Sequence, residues 1–170
     1  GAGEGLLSIS VAKAVGSEGS VFATELAARR DAIRRNTERA GARNVEVIEA
    51  RITSTGLAKA CCDAIFMRDV YHHLTAPDEI LADIRSALRP AGRLLIIDFE
   101  PRRSLPAVDG VNENRRGHGI PMLVVVQELN ARGFEVLSQD ASWREDLYAV
   151  LARPRAGGSS TVAGHSHSAN

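Results

Sequence analysis

Gly1-Ala2-Gly3-Glu4-Gly5-Leu6-Leu7-Ser8-Ile9 opens the chain, and its reading decides the fold. Three glycines at alternate positions precede an apolar, alanine-rich segment that reads as a helix from about Glu4 to Val15. Glycine has no Cβ, so the backbone can turn sharply and a ligand can lie directly against it. A helix behind such a turn presents free N–H groups and the positive end of its dipole. About twenty residues on, Val21-Phe22-Ala23-Thr24-Glu25 reads as a short buried strand ending in a carboxylate. A glycine turn with an acid at the next strand end is how an α/β domain holds a nucleoside, backbone on one end and carboxylate on the ribose hydroxyls.

Strands and helices then alternate, which predicts an α/β, doubly wound sheet. A second helix is expected over about Ala27 to Ala40, with Gly41 as its stop. Its basic face, with Arg29, Arg30, Arg34, Arg35 and Arg39, reads as solvated. Asn44 to Ala50 alternates as a strand, and Arg51 to Lys59 is a loop. Cys62 to Met67 has the apolar character of a strand buried on both faces. Thr75-Ala76-Pro77-Asp78 is read as a capped helix start. Ile80, Leu81, Ile84, Ala87 and Leu88 follow as the buried stripe, and Pro90 and Gly92 as the stop. Arg93 to Phe99 is the clearest strand. Glu100 to Gly119 is a long polar connection of the kind that carries function. Met122 to Arg132 is expected as a helix despite the strand-like run Val124-Val125-Val126. Phe134 to Ser138 and Leu147 to Ala152 are expected as a closing antiparallel pair. Beyond Arg155 the Gly, Ser, Thr and His composition predicts a disordered tail, where His165 and His167 alone make a poor metal site.

Three stretches resemble one family. Gly1-Ala2-Gly3-Glu4-Gly5 with Glu25 resembles the first two motifs of class I S-adenosylmethionine (SAM)-dependent methyltransferases. Leu6 breaks the spacing of the dinucleotide fingerprint. Asp63 to Leu74 resembles that family's fourth strand and following loop, and Leu88 to Phe99 its next turn and strand. The resemblance covers roughly positions 1 to 154 and leans toward small-molecule enzymes of the ubiquinone/menaquinone-biosynthesis type. It implies a Rossmann-like, mostly parallel sheet with an antiparallel C-terminal strand pair, one domain over 1–154 and a tail over 155–170. In the family a strand precedes the glycine turn. The sequence begins at the turn, so the resemblance implies either that an N-terminal segment carrying this first strand has been lost or that the domain manages without it, with compensation by dimerisation, strand exchange or a rearranged N-terminus.

The same resemblance implies roles for particular residues. Gly1, Gly3 and Gly5 would shape the floor under the methionine end of SAM, and Glu25 would accept both ribose hydroxyls. Arg51 and Ile52 fall where the family has its adenine contacts. Arg51 cannot accept a hydrogen bond from the adenine amino group, whereas Ile52 could pack on the ring. Asp69 would border the methionine part. Tyr71 and His118 would touch the acceptor, and His72 or His73 would take a proton from it. The product cofactor would be S-adenosylhomocysteine. No metal is expected, on the argument that the adjacent His72 and His73 diverge and no third ligand has suitable spacing.

Composition bounds the rest. The 170 residues carry 44% apolar side chains, enough for one core. The formal net charge of zero argues against bulk capture of nucleic acid, and no base-flipping motif of the type N-P-P-[YF] is present. No apolar run approaches the roughly twenty residues of a membrane span. Adjacent Cys61 and Cys62 suit neither a disulfide framework nor a metal site, and two reduced thiols in a cytoplasmic protein are expected. The function expected is methyl transfer from SAM to a small-molecule acceptor. The rivals are a degenerate, non-catalytic SAM-binding module and a nucleotide-dependent oxidoreductase.

Overall fold

A computed structural model describes residues 1–102, 104–111, 115 and 118–156. The expected tail with His165 and His167 lies outside the described residues. The chain runs α1 (Leu6–Val15), β1 (Val21–Leu26), a 3-10 turn (Ala27–Arg29), α2 (Arg30–Arg39), β2 (Val45–Ala50), β3 (Cys62–Arg68), a second 3-10 turn (Tyr71–His73), α3 (Pro77–Ala87), β4 (Leu88–Phe99), α4 (Met122–Ala131), β5 (Phe134–Arg144) and β6 (Leu147–Pro154). Strands and helices alternate as expected except where a loop joins β2 to β3 and at the closing pair β5–β6.

The strands form two sheets, β1-β2 and β3-β4-β6-β5. β1 pairs with β2 in parallel, Glu25 opposite Glu49. β3 pairs with β4 in parallel, Arg68 opposite Ile97. β6 runs antiparallel to β4 and β5, as expected of the closing pair. Among the described residues no ladder joins β1 to β3. The first residues run between their carboxyl ends: the amide of Ala2 donates to Thr24 O at 2.9 Å, and a Cβ on Gly1 would stand 2.9 Å from Val70 Cγ1. The ends of β1, β2, β3 and β4 therefore share one edge, where open α/β sheets bind ligands.

The core is mainly aliphatic. Leu81, Ile84, Leu94, Ile96, Val125, Leu129, Phe134 and Val150 are almost wholly buried in one cluster. α3 contributes Ile80, Leu81, Ile84 and Ala87 at helical spacing. Pro77 occupies its first turn, where the missing N–H costs nothing, and Asp78 and Glu79 complement the dipole there.

Several boundaries differ from expectation. The N-cap of α3 is Ala76, with no side-chain cap, so Thr75 does not cap it. Leu88 is the first residue of β4 rather than the last of the buried helical stripe, and Pro90 and Gly92 lie within the strand. The register shifts there: Cys62 faces Leu88 while Ala64 faces Arg93. Such a bulge lets a strand carry a proline, which has no amide to give a ladder. α4 forms despite three consecutive valines. Val125 and Leu129, one turn apart, are both buried, so tertiary burial outweighs the local strand preference. β5 reaches Arg144, well beyond Ser138, and pairs along β6 as a long hairpin.

The cysteines are a correction. Cys61 and Cys62 form a vicinal disulfide rather than two reduced thiols. The pair follows Ala60, whose φ of 50° turns the chain just ahead of it, a local geometry that residue types do not announce. No helix among the described residues is long and apolar enough to cross a membrane.

Candidate active site

The glycine turn is held by Glu25. At the end of β1 this residue is only 5% exposed. Its Oε2 accepts the amide of Gly3 at 2.7 Å and its Oε1 the amide of Leu26 at 2.9 Å. Each oxygen keeps a second acceptor position, so the carboxylate can fix the turn and still receive ribose hydroxyls. Gly3 has a φ of +58°, and nothing lies within 4 Å of where its Cβ would be. The turn thus exposes bare backbone on one side. Gly5 is the N-cap of α1 and packs on Ile33 of α2. The turn suits a nucleoside-bearing cofactor: an open backbone face, a helix N-terminus behind it and a fixed carboxylate beside it.

Arg51 and Ile52 follow β2 at the same edge. Arg51 and Ser54 exchange backbone hydrogen bonds of 2.8 and 3.3 Å, closing a tight turn. Ile52 at its tip is 65% exposed, an apolar surface of the kind a flat ring stacks on. Thr55 anchors the loop: its amide donates to Asp83 Oδ2 of α3 at 2.7 Å.

Asp69 is exposed just beyond β3 and has a φ of 54°. Its amide donates to Ile97 O at 3.0 Å, and its carboxylate faces Arg68 Nε at 3.4 Å. Non-glycine residues held in that conformation concentrate at functional sites, and aspartate tolerates it better than most. Tyr71 departs from expectation. It is fully buried in the core cluster, and its hydroxyl donates to Glu128 Oε2 of α4 at 2.7 Å. Burial and the neighbouring Glu128 carboxylate hold its pKa well above the ordinary tyrosine value. Arg115, also buried, donates to Glu128 Oε1 at 2.8 Å and to Tyr71 O at 2.8 Å. The Tyr71 side chain thus locks the 3-10 turn against α4 instead of facing an acceptor.

The next two residues do face the edge. His72 is buried, with Nδ1 2.8 Å from Asp98 Oδ1, and its amide donates to Asp98 Oδ2 at 3.1 Å. The Asp98 carboxylate, wholly buried at the end of β4, also accepts the amide of Phe99 at 2.9 Å. A carboxylate only accepts, so Nδ1 donates, and Nε2 of the neutral ring carries a lone pair. That Nε2 is buried with no hydrogen-bond partner among the described residues. His73 is exposed. Partial desolvation of the ring, then the adjacent imidazoles of His72 and His118, hold its pKa below the usual histidine value.

His118 reaches this place through the long connection. The amide of Arg102 donates to His118 O at 2.9 Å, and the amide of Ile120 to Phe99 O at 2.9 Å. The chain therefore returns alongside its own departure from β4. Gly119, at φ +102°, permits it: a Cβ there would stand 2.8 Å from Phe99 O and 2.9 Å from Glu100 O. The His118 ring lies nearly parallel to that of Phe99, 5.9 Å away, and 5.0 Å from the ring of His72. The rings of His72 and His73 are 4.0 Å apart. The expected divergence of these neighbours is thus not observed, because the 3-10 turn folds both toward His118. Asp98 was missed as a site residue. Its signal was an acid closing an otherwise apolar strand, Leu94-Leu95-Ile96-Ile97-Asp98.

The known proteins agree with this geometry. The methyltransferase domain family matches residues 1–96. This chain belongs to that family. No curated protein matches it. Among solved structures, a SAM-dependent methyltransferase from Aquifex aeolicus superposes with a TM-score of 0.73 at 24% identity, over 89% of this chain and 78% of that one. The [4+2]-cyclase SpnF superposes at 0.72 with 16% identity, over 92% and 74%. The glycopeptide N-methyltransferase MtfA, in complex with S-adenosylhomocysteine, superposes at 0.68 with 18% identity, over 90% and 78%. These likenesses establish that the methyltransferase domain has their fold. Since one of the three is a cyclase, the chemistry has to be argued from the site.

Proposed function

We propose that this methyltransferase domain binds SAM at the glycine turn and methylates a small-molecule acceptor beside His72. SAM supplies a methyl group already activated on a sulfonium, so the protein's task is to position, exclude water and manage one proton. Gly3 offers its open backbone face, and Gly1 and Gly5 brace the turn from either side. Glu25 receives the ribose hydroxyls on its remaining acceptor positions, Ile52 covers the adenine, and Asp69 borders the methionine end. Asp98 fixes the His72 ring, leaving Nε2 to take the acceptor's proton. His73 and His118 line the space in front of it. The observation that carries this reading is the juxtaposition, on one sheet edge, of the Glu25-clasped turn and a buried Asp98–His72 pair with a free lone pair. The bound S-adenosylhomocysteine in MtfA supports the choice of cofactor.

The finer expectations belong to this proposal. The subclass is of the ubiquinone-biosynthesis type and the location cytoplasmic. No nucleic acid is bound, in keeping with the zero net charge. A homodimer is supported by the edges of β1 and β3, each of which among the described residues pairs with a single strand. Calorimetric titration with SAM and S-adenosylhomocysteine, beside NAD, tests the central claim. Micromolar binding of both SAM-type ligands and none of NAD is expected. A cooperatively folded chain that binds neither would refute it.

A further inference from the structure

His72, His73 and His118 each offer a ring nitrogen, and the three nitrogens lie within 4.8 Å of one another. Three imidazoles from two separate segments converge where a proton acceptor needs only one. His72 has one nitrogen committed to Asp98 and the other buried without a partner among the described residues. A buried lone pair with nothing to accept is costly, and its persistence asks for a ligand. The arrangement of carboxylate, imidazole and free Nε2 is the one that orients histidine toward a metal, because the second hydrogen bond fixes both the tautomer and the ring plane.

We propose that His72, His73 and His118 form a binding site for a divalent transition metal of the zinc class, with Asp98 as the carboxylate that orients His72. Neutral imidazoles suit zinc, cobalt and nickel and do not suit magnesium or calcium, which require oxygen. Tetrahedral zinc with bonds near 2.0–2.1 Å holds its nitrogens about 3.3 Å apart, so small ring rotations close the observed cluster. His73, the exposed member, supplies the entry path. Three protein ligands leave one position for solvent or for the heteroatom of a small molecule, the pattern of catalytic rather than structural zinc. A proton and a metal cannot share the Nε2 lone pair, so in the loaded state His72 would no longer accept the proton; the ion would lower the pKa of the bound acceptor, whose proton would leave to solvent. The site shares His72 with the methyl-transfer reading, yet SAM binding at the glycine turn and metal binding at the histidines are tested separately. A chain that binds SAM and no metal loses this inference alone, and one that binds metal and no SAM loses only the other.

The test titrates the full chain with Co2+ and follows the visible absorption that tetrahedral cobalt develops, with Zn2+ competition to displace it. A background of His165→Asn and His167→Asn removes the histidines of the C-terminal segment. One equivalent per chain is expected, with loss of at least ten-fold in affinity for His73→Ala and for His118→Ala. Asp98→Asn should weaken binding by roughly 10–100-fold, the scale for a second-shell carboxylate. Circular dichroism and thermal melts identify any variant that fails to fold. His73→Ala, at an exposed position, keeps the test decisive should a His72 or Asp98 variant unfold. No cobalt spectrum at excess metal, or a spectrum unchanged in folded His73→Ala and His118→Ala, would overturn the proposal.

Discussion

Asp98 holds His72 twice, accepting its ring Nδ1–H at 2.8 Å and its backbone N–H at 3.1 Å. One fully buried carboxylate thereby fixes both the side chain and the turn that carries it. Asp98→Ala would strand those two donors and the amide of Phe99 in the interior. An unsatisfied buried donor costs about 1–3 kcal/mol, so a loss of roughly 3 kcal/mol or more is expected in urea denaturation. Asp98→Asn keeps an oxygen acceptor and should lose distinctly less. Equal losses would show that the shape of the side chain, rather than its hydrogen bonds, matters here.

Glu25 joins stability to ligand binding. Its two oxygens hold the amides of Gly3 and Leu26, so Glu25→Ala should loosen the glycine turn and lower the melting temperature. The same change should weaken SAM by about 1.5–3 kcal/mol, the scale for losing hydrogen bonds to a charged group. Calorimetry on the variant, well below its melting temperature, separates the two effects. Full SAM affinity in a destabilised variant would confine Glu25 to the turn.

Gly119 places His118. At its φ of +102° any Cβ is strained, and here one would meet the Phe99 and Glu100 carbonyls. Gly119→Ala must therefore shift the return of the connection and with it the His118 ring. The strain of a non-glycine residue in such a conformation is about 1–3 kcal/mol. The expected outcome is a moderately destabilised chain in which the His118 ring resonances move by NMR while those of the α1 amides do not. Unmoved His118 resonances would show that the bridge to Arg102 alone positions it.

Much of the fold was legible because its signals are local. The glycine turn, the apolar strand Leu94–Asp98 and the stripe Ile80, Leu81, Ile84 each announce themselves within a few residues. The helix at Met122–Ala131 was expected against its own valine run, and the burial of Val125 and Leu129 is what favours it. The site was harder to read. Glu25 and His72 stood out by position, yet Asp98 gains its meaning only when β3 and β4 lie side by side. His118 reaches His72 across more than forty residues of chain, by a backbone bridge that no periodicity records. Tyr71 was misread for the same reason: one residue of a 3-10 turn faces the core and the next the edge, and only the partner on α4, Glu128, decides which.

Tyr148 makes the chain sensitive to alkali. It is 2% exposed on β6, and its hydroxyl donates to Ile120 O at 2.9 Å. Burial raises its pKa far above the ordinary tyrosine value, and Asp98, Glu100 and Glu128 raise it further, with Arg115 opposing. The folded state thus keeps a proton that the unfolded chain releases above about pH 10. Below that pH both states hold it and stability is independent of this group. Above it, unfolding is favoured by about 1.4 kcal/mol for each pH unit until the folded pKa is reached. Tyr148→Phe removes this dependence along with the hydrogen bond to Ile120. The variant should start less stable by about 0.5–1.5 kcal/mol at neutral pH, and its deficit should shrink as pH rises from 10 to 11. Urea unfolding of both proteins at pH 7, 10 and 11 measures it, and a deficit constant across that range would show that Tyr148 ionises as readily folded as unfolded.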